Sequence, residues 1–384
     1  FLVSREVSLT LDVTCHTSGN QPTYEKGREQ FLREAKTMAK LDSIPEIVQV
    51  LDMGAFIDNR IEKQGKIFEG NKIYNPEILN EIVPDKIVVM TNAYEEIYNQ
   101  ICKYFPHCKN IVENKNFFYK QSIIARYKES TDPEICEVLD HIKQNGLEVF
   151  NYPFTSKYKD MDVQVFWDNA CNLFYVNYKG HKMYMSRKFK NEKEVAAYYK
   201  SVLMEQDEDS PHKYLTKDFN VENSDVVVDV GVAEGNFSLD IIDRVKKIYL
   251  IETDDDWLEA LKMTFREYED KVQIVKGYVS SVEEGPFVTL DSIISEPVNF
   301  IKMDIEGNEW DALQGAAKLI QKSENIRCAI CSYHSDFDQT LIEAFFDGMD
   351  IKHNTSDGYM WFPWKVRQNY VSTRLNRALV RGEK

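Results

Sequence analysis

The apolar positions in the second half of the chain come in short continuous runs with amphipathic segments between them. Four of these runs are apolar almost throughout, as expected of strands covered on both faces. They are VVVDV (residues 226–230), KIYLIE (247–252), NFIKMDI (299–305) and RCAICSY (327–333). GNFSLDIIDRV, after the first run, has the apolar spacing of a helix. This alternation predicts an α/β domain with a doubly wound, mostly parallel sheet. DIKHN and YMWF, separated by Asp357–Gly358, predict a closing hairpin with one antiparallel last strand.

The first 205 residues show two other patterns. Residues 1–150 alternate apolar runs such as IVVM (87–90) with helical segments, and Asn75 before Pro76 is typical of a helix start. These features predict a smaller, Rossmann-like α/β domain. Residues 160–188 switch to a period of two, which predicts a three-stranded antiparallel meander, and EKEVAAYYKSVLMEQ predicts a linking helix. We therefore predict domains at 1–150, 151–205 and 206–384.

Composition narrows the classes of partner. The net charge of −16 repels phosphate backbones, so we expect no nucleic-acid partner. No stretch reaches the ~18 apolar residues of a membrane span, and the first residues lack a secretory signal pattern. Seven cysteines at irregular spacing do not indicate a disulfide framework. Cys328 and Cys331 alternate with apolar residues, which favours buried thiols over zinc ligands. We expect a cytoplasmic protein.

A glycine turn between a strand and a helix is the central chemical signal. In DVGVAEGNFS, Gly231 and Gly235 allow a ligand to approach the backbone closely, and the helix start can receive a carboxylate. Glu252 ends the next strand, where an acid can accept hydrogen bonds from ribose hydroxyls. A nicotinamide dinucleotide, S-adenosylmethionine and an unliganded acidic loop all fit this spacing. Gly-x-x-x-Gly lacks the Gly-x-Gly-x-x-Gly of a pyrophosphate loop, which favours S-adenosylmethionine.

A second group of polar residues follows the later strands. Asp304 ends one buried run, Glu306 and Glu309 flank the next turn, and His334 follows RCAICSY. Parallel strands present their carboxyl ends at one sheet edge, so Asp304, Glu306 and His334 are predicted to surround one crevice. His334 is the first choice for a general base because the free imidazole pKa lies near neutrality, with Asp304 orienting it or acting instead. Alternatively, these three residues bind a divalent cation.

Five segments are specific enough to compare with a known family: DVVVDVGVAEGNFS, YLIETD, TLDSII, FIKMDIEGNEWDALQGA and SYHSDFD. Together they resemble the FkbM family of S-adenosylmethionine-dependent methyltransferases, over about residues 205–362. The resemblance implies S-adenosylmethionine as cofactor and methyl transfer to a hydroxyl, often of a sugar, surface glycan or natural-product intermediate, as in polysaccharide biosynthesis. By this resemblance, the cofactor-binding residues are Asp229, Gly231, Glu234, Gly235, Asn236, Glu252 and Asp304, and the residues beside the transferred methyl are Asp304, Glu306 and His334.

The chain departs from the family pattern in places. Glu252–Thr253–Asp254 replaces the usual Glu-Pro, and residues 205–215 resemble a lead-in found in a subset of members, whose His212 either caps the active site or serves packing. Residues 55–79 resemble Rossmann-like domains of sugar-modifying enzymes, with Asp58 at the ribose position. Gly54 is a single glycine there and is not part of a Gly-x-Gly-x-x-Gly loop, so a phosphate-binding helix start is not expected. A second nucleotide site is therefore less favoured than a degenerate domain that presents substrate or joins copies of the chain.

The expected function is therefore that of an O-methyltransferase acting on a small-molecule or glycan acceptor. Two alternatives stay open: a nicotinamide-dependent sugar oxidoreductase, and a non-catalytic, cofactor-binding scaffold in a glycan assembly complex.

Overall fold

The computed structural model of the chain describes residues 2–4, 48–50, 55–59, 61–68, 71–82, 84, 86–89, 94–114, 116–365 and 370–384. Contacts divide it into two compact units, one of Phe1–Lys128 with Asn145–Leu147, the other of Glu129–Gln144 with Glu148–Lys384. The meander and the linking helix thus share a unit with the sheet that follows them. The predicted boundaries at residues 150 and 205 stay predictions.

The first unit contains a mixed sheet with strand order β1-β6-β2-β3-β5-β4, in which β7 also pairs with β6. Its strands are β1 (Leu2–Ser4), β2 (Val48–Val50), β3 (Ala55–Ile57), β4 (Ile67–Phe68), β5 (Asn71–Tyr74), β6 (Lys86–Val89) and β7 (Val112–Asn114), and its helices are α1 (Tyr94–Tyr104) and α2 (Phe117–Tyr127), with 3₁₀ helices at Pro76–Asn80 and Pro106–Ile111. Among the described pairings of this first sheet, only β3–β5 and β6–β7 are parallel. Asn75 caps the first 3₁₀ helix through Glu77 N–H, which confirms a helix start there. Gly54 lies outside the described residues.

The second unit opens with helices and the predicted meander. The elements are α3 (Pro133–Asn145), a 3₁₀ helix at Pro153–Thr155, α4 (Ser156–Lys159), β8 (Val165–Asp168), β9 (Leu173–Tyr178), β10 (His181–Tyr184) and α5 (Glu192–Glu205). Both strand pairings, β8–β9 and β9–β10, are antiparallel, which confirms the meander. Asn191 caps α5 by accepting from Glu194 N–H, and the Glu194 carboxylate accepts from Lys190 N–H just before the cap.

A seven-stranded sheet with order β13-β12-β11-β16-β17-β21-β18 forms the centre of this unit. Its strands and the elements between them are β11 (Val226–Val230), α6 (Asn236–Ile241), β12 (Lys247–Glu252), α7 (Asp255–Thr264), a 3₁₀ helix at Arg266–Tyr268, β13 (Val272–Lys276), β14 (Tyr278–Val279), β15 (Phe287–Val288), α8 (Leu290–Ile293), β16 (Phe300–Met303), α9 (Glu309–Gln314), α10 (Ala317–Lys322), β17 (Arg327–Cys331), α11 (Asp338–Gly348), β18 (Lys352–Thr355), β19 (Trp364–Lys365), β20 (Tyr370–Val371) and β21 (Leu379–Glu383). The strand order reverses between β11 and β16, which is where open α/β sheets bind ligands.

The doubly wound sheet with an antiparallel last strand is confirmed, because β21 alone runs against its neighbours β17 and β18 in this sheet. The predicted hairpin partner of β18, residues 359–362, is wrong. Met360 makes only an isolated bridge to Asn376. In the described part of the chain, the backbone of the Asp357–Gly358 turn does not form hairpin hydrogen bonds with β18. Instead, Gly358 N–H donates to the Glu134 carboxylate and Tyr359 N–H donates to the Tyr152 hydroxyl.

The core of this sheet is formed by the apolar runs that predicted its strands, including Val228, Ile251, Ile301 and Ile330. Among the described residues, no helix has both the length and the hydropathy needed to cross a bilayer. The six described cysteines are free, and Cys328 and Cys331 are buried, as predicted.

Candidate active site

The glycine turn after β11 requires glycine at two positions. Gly231 has a φ of +77°, and a Cβ there would lie 1.8 Å from the carbonyl oxygen of Asp304. Gly235 has a φ of +86° and caps α6, and its Cβ would lie 2.9 Å from the Phe265 ring. An L side chain rarely adopts this conformation, and neither position has room for one. The turn therefore packs directly against the strand end that carries Asp304.

Glu252 ties this turn to the end of β12. Its Oε2 accepts the Ala233 N–H at 3.0 Å, and its Oε1 accepts the N–H groups of Thr253 at 2.6 Å and Asp254 at 2.9 Å. The structure thus places Glu252 beside the glycine turn at the same sheet edge, as the sequence predicts. Its ribose contact stays a prediction.

Glu234 and Asn236 are buried beside the glycines and are engaged within the protein. Glu234 accepts a 2.5 Å hydrogen bond from the Tyr198 hydroxyl of α5, and burial raises the pKa of Glu234. Asn236 Oδ1 accepts the N–H of Phe237 at 2.6 Å. Helix α5 therefore contacts the predicted cofactor turn directly.

Asp229 forms a buried ion pair that the sequence analysis missed. Lys302 Nζ lies 3.1 Å from Asp229 Oδ1 and 2.5 Å from the Gly231 carbonyl oxygen, and Ser238 donates to Asp229 Oδ2 at 2.8 Å. Burial opposes the charge of Lys302, but Asp229 and Asp304 outweigh it and raise the lysine pKa. Asp229 Oδ2 thus accepts a hydrogen bond, whereas Oδ1 is held by the ion pair with Lys302. The sequence does contain a signal for this ion pair, which is the lysine within the apolar run NFIKMDI. A charged side chain that is buried needs an oppositely charged partner.

Asp304 lies at the end of β16 and is surrounded by hydrogen-bond donors. Tyr214 donates to Oδ2 at 2.9 Å, Tyr333 donates to Oδ1 at 3.4 Å, and His334 Nε2 lies 3.4 Å from Oδ1. Burial opposes its negative charge, but the positive charges of His334 and Lys302 outweigh burial and lower the pKa of Asp304 to about 2. Asp304 is therefore a carboxylate at neutral pH.

His334 is buried between two carboxylates. Its Nδ1 lies 3.0 Å from Glu309 Oε1 on α9, opposite the Nε2 that faces Asp304. Glu309 is itself fully buried and accepts the Ile305 N–H at 3.0 Å. Burial alone would lower the His334 pKa, but Glu309 and Asp304 outweigh it and raise the pKa to about 9. His334 therefore carries a proton at neutral pH, contrary to the expectation that its pKa stays near the free value.

Glu306 is the solvent-exposed member of this group of residues. Its side chain is 75% exposed and its Oε2 lies 3.9 Å from His334 Nε2. Glu306 has a φ of +56° and Gly307 a φ of +95°, and such a conformation in a residue other than glycine costs roughly 1–2 kcal/mol. The structure thus brings Asp304, Glu306 and His334 together, as predicted.

A cation could be held by two groups within the described part of the chain. The candidate ligand atoms lie within 4.8 Å of one another in each group, which are Asp304, Glu309 and His334 in one and His212, Asp304 and Cys331 in the other. Glu309 therefore takes the place that the sequence analysis gave to Glu306. In the first group, the proton on His334 already offsets the charge of one of the two carboxylates.

The lead-in segment, residues 205–215, supplies further residues around Asp304 that the sequence analysis did not assign, apart from His212. His212 is buried, with Nε2 3.9 Å from Asp304 Oδ2, and Tyr214 contacts Asp304 directly. At the start of this segment, burial together with Glu234 and Asp304 raises the pKa of Glu205 to about 8. By contrast, Asp58 of the first unit is buried and lies 3.2 Å from Lys63 Nζ.

Comparison with known proteins gives one family match for this part of the chain. The model of the methyltransferase FkbM domain matches residues 166–354. A search of curated proteins finds no match. Similar solved structures include an FkbM methyltransferase from Methylobacillus flagellatus KT, 17% identical, covering 85% of this chain and 82% of that chain at a TM-score of 0.41. A Streptococcus mutans protein in complex with SAH is 16% identical and covers 43% of this chain and 90% of that chain at a TM-score of 0.32. An rRNA methylase from Streptococcus thermophilus is 17% identical and covers 43% and 89% at 0.31. Because these TM-scores are below 0.5, the assignment rests on the family match and on the sheet order of this chain.

Proposed function

Residues 166–354 of this chain belong to the FkbM methyltransferase family, and from that membership we propose that the protein transfers a methyl group from S-adenosylmethionine to a hydroxyl oxygen. One observation carries the proposal. The glycine turn predicted to hold the donor meets the backbone of Asp304, since a Cβ on Gly231 would lie 1.8 Å from the Asp304 carbonyl oxygen. The turn that we assign to the donor and the residue that we assign to the acceptor hydroxyl are therefore in direct contact, and transfer between two bound molecules requires such proximity.

The charge of the crevice supports a cationic donor. Burial and repulsion from Glu234, Asp304 and Glu306 raise the pKa of Glu205 to about 8 there, against the opposing effect of Lys302. Carboxylates that repel one another favour a positively charged ligand. S-adenosylmethionine supplies its methyl group from a positively charged sulfur, whereas a nicotinamide dinucleotide would bring two phosphates to the same acidic crevice. The residues thus fit the methyl donor better than the alternative.

Asp304 is the residue that we assign to the acceptor hydroxyl. A hydroxyl oxygen that gains a methyl group becomes strongly acidic, so a weak base is sufficient if it is well placed. The Asp304 carboxylate accepts this proton, and Glu306, which is 75% exposed, passes it to solvent. Because His334 holds a proton at neutral pH, it acts as a positively charged partner of Asp304. It is therefore not the general base that the sequence suggested.

The acceptor is a sugar hydroxyl in this proposal, on a glycan or a natural-product intermediate. Phe337 is 63% exposed three residues after His334, and Phe362 packs edge-on against the His334 ring with 5.5 Å between centroids. An exposed ring such as that of Phe337 suits the apolar face of a sugar. The acidic crevice disfavours acceptors that carry carboxylates or phosphates. A substrate-presenting or copy-joining role of the first unit, and a cytoplasmic location, stay predictions.

Radiolabelled methyl transfer into a fractionated extract of the source organism tests the function, together with thermal shift by S-adenosylmethionine and by nicotinamide dinucleotides. We expect stabilisation by S-adenosylmethionine and label in a glycan or natural-product fraction. Stabilisation by a dinucleotide alone would indicate the oxidoreductase. Binding of the donor without label in any fraction would indicate the scaffold.

A further inference from the structure

A chain of hydrogen-bonding side chains leads from the lead-in segment to Asp304. Gln206 contacts His212, His212 Nε2 lies 3.0 Å from the Tyr333 hydroxyl, and that hydroxyl lies 3.4 Å from Asp304 Oδ1. We infer that His212 is a neutral positioning residue whose Nε2–H donates to Tyr333 and so directs the Tyr333 hydroxyl onto Asp304. The inference rests on the proposed function, in which Asp304 holds the acceptor hydroxyl.

The orientation of Gln206 determines which nitrogen of His212 carries the proton. Gln206 Oε1 accepts the N–H of Tyr214 at 3.1 Å, and Gln206 Nε2 donates to the His212 carbonyl oxygen at 3.3 Å. The same Nε2 lies 3.5 Å from His212 Nδ1. An amide NH₂ only donates hydrogen bonds, so Nδ1 must be the acceptor. A neutral imidazole then carries its proton on Nε2, the nitrogen that faces Tyr333.

The surroundings of His212 favour the neutral ring. It is buried, and the rings of Phe150, Tyr214 and Tyr333 pack around it with centroids 5.2–6.3 Å away. The charged side chains near it are Asp304, His334 and Lys302. The buried, aromatic surroundings leave a charged ring without water to solvate it. Protonation would also place an Nδ1–H against the Gln206 amide hydrogens.

This arrangement fixes the direction of one hydroxyl proton. A phenol oxygen carries a single hydrogen, so when it accepts from His212 Nε2–H its own proton is free to point at Asp304 Oδ1. Tyr214 donates to the other oxygen, Oδ2, at 2.9 Å. Both carboxylate oxygens of Asp304 are thus oriented before an acceptor arrives. The two histidines of the site have distinct roles, since His334 supplies charge and His212 supplies direction.

Substitutions that mimic one ring nitrogen each test the inference. Glutamine places its amide nitrogen near the position of Nε2, whereas asparagine places its amide nitrogen near Nδ1. We expect His212→Gln to keep kcat within about threefold and His212→Asn to lower kcat by about tenfold, the value of one hydrogen bond. The affinity for S-adenosylmethionine should stay unchanged in both variants. Equal loss in the two variants would indicate that His212 accepts a proton itself, and would overturn the inference.

Tyr333→Phe provides the matched control. It should lower kcat as much as His212→Asn does, and the double variant should show no further loss, because both changes remove the same hydrogen bond to Asp304. Additive losses would mean that His212 acts independently of Tyr333.

Nitrogen-15 NMR of the histidine-labelled protein gives a readout that needs no acceptor. We expect His212 to show the Nε2–H tautomer at pH 7, assigned by its disappearance in His212→Gln or by its shift in Tyr333→Phe. An Nδ1–H tautomer, a charged ring or an Nε2 occupied by a metal would overturn the inference, whether or not methyl transfer is found. A protein that shows the expected tautomer but transfers no methyl group would instead contradict the proposed function.

Discussion

Replacing Gly231 by alanine tests the contact between the cofactor turn and the acidic crevice. At a φ of +77° an alanine is strained by roughly 1–2 kcal/mol. Its Cβ would also lie 1.8 Å from the Asp304 carbonyl oxygen, and overpacking of this kind costs about 1–3 kcal/mol more. The total of about 2–5 kcal/mol should lower Tm by roughly 5–15 °C for a unit of this size. Calorimetry should show at least about a tenfold weaker Kd for S-adenosylmethionine, since each factor of ten is about 1.4 kcal/mol.

Gly285→Ala is the matched control for that variant. Gly285 also has a positive φ, +60°, but its Cβ would meet nothing within 4 Å. It should therefore show the backbone strain alone, a Tm loss of roughly 2–6 °C, with unchanged donor affinity. If the two variants had the same Tm and the same Kd, the close approach of Gly231 to Asp304 would not matter for binding, and the argument from contact between the donor turn and Asp304 would fail.

The remaining predictions concern the charged groups and the mouth of the crevice. His334→Ala should leave donor affinity nearly intact and lower kcat by about ten- to a hundredfold in a labelled-methyl assay, because it removes a charged partner of Asp304, and unchanged turnover would remove His334 from the mechanism. The pKa of His334 is raised from 6.5 to about 9, so its contribution to stability is complete below pH 6.5 and is lost as pH rises through about 9. The activity should fall over the same pH range. In His334→Ala, the loss of stability and of activity near pH 9 should disappear. Glu252→Gln should weaken donor affinity, because the carboxylate accepts three backbone N–H groups and an amide would turn an NH₂ toward one of them; equal affinity by calorimetry would reject the cofactor assignment. Phe337→Ala should raise the acceptor KM with unchanged Tm and donor Kd, and an unchanged KM would exclude Phe337 from acceptor binding.

The hydrophobic pattern predicted the central sheet well because its parallel strands are buried on both faces. KIYLIE coincides with β12 (Lys247–Glu252), and VVVDV coincides with β11 (Val226–Val230). The pattern failed at β21, LVRGE. That strand contains two charged residues and a glycine, and its pairing with β17 and β18 depends on residues far away in sequence. Local alternation could not reveal it.

The candidate site was predictable in position but not in chemistry. The sequence placed Asp304, Glu306 and His334 at one edge because parallel strands end there. It could not show that Glu309 and Asp304 would enclose the His334 ring and raise its pKa, since this depends on distances between side chains of different elements. Tyr214 and Tyr333 were missed for the same reason, although each donates to Asp304.

The antiparallel strand β21 has a consequence for folding. It lies between β17 and β18, so both strands keep an open hydrogen-bonding edge until residues 379–383 are available. Strands β17 and β18 precede it by many residues, and closing such long loops slows folding. During synthesis on the ribosome, the sheet therefore stays incomplete after the glycine turn, Asp304 and His334 have all emerged. The exposed edges of β17 and β18 are then available for pairing with other chains, and this makes the last step of assembly the one most open to aggregation.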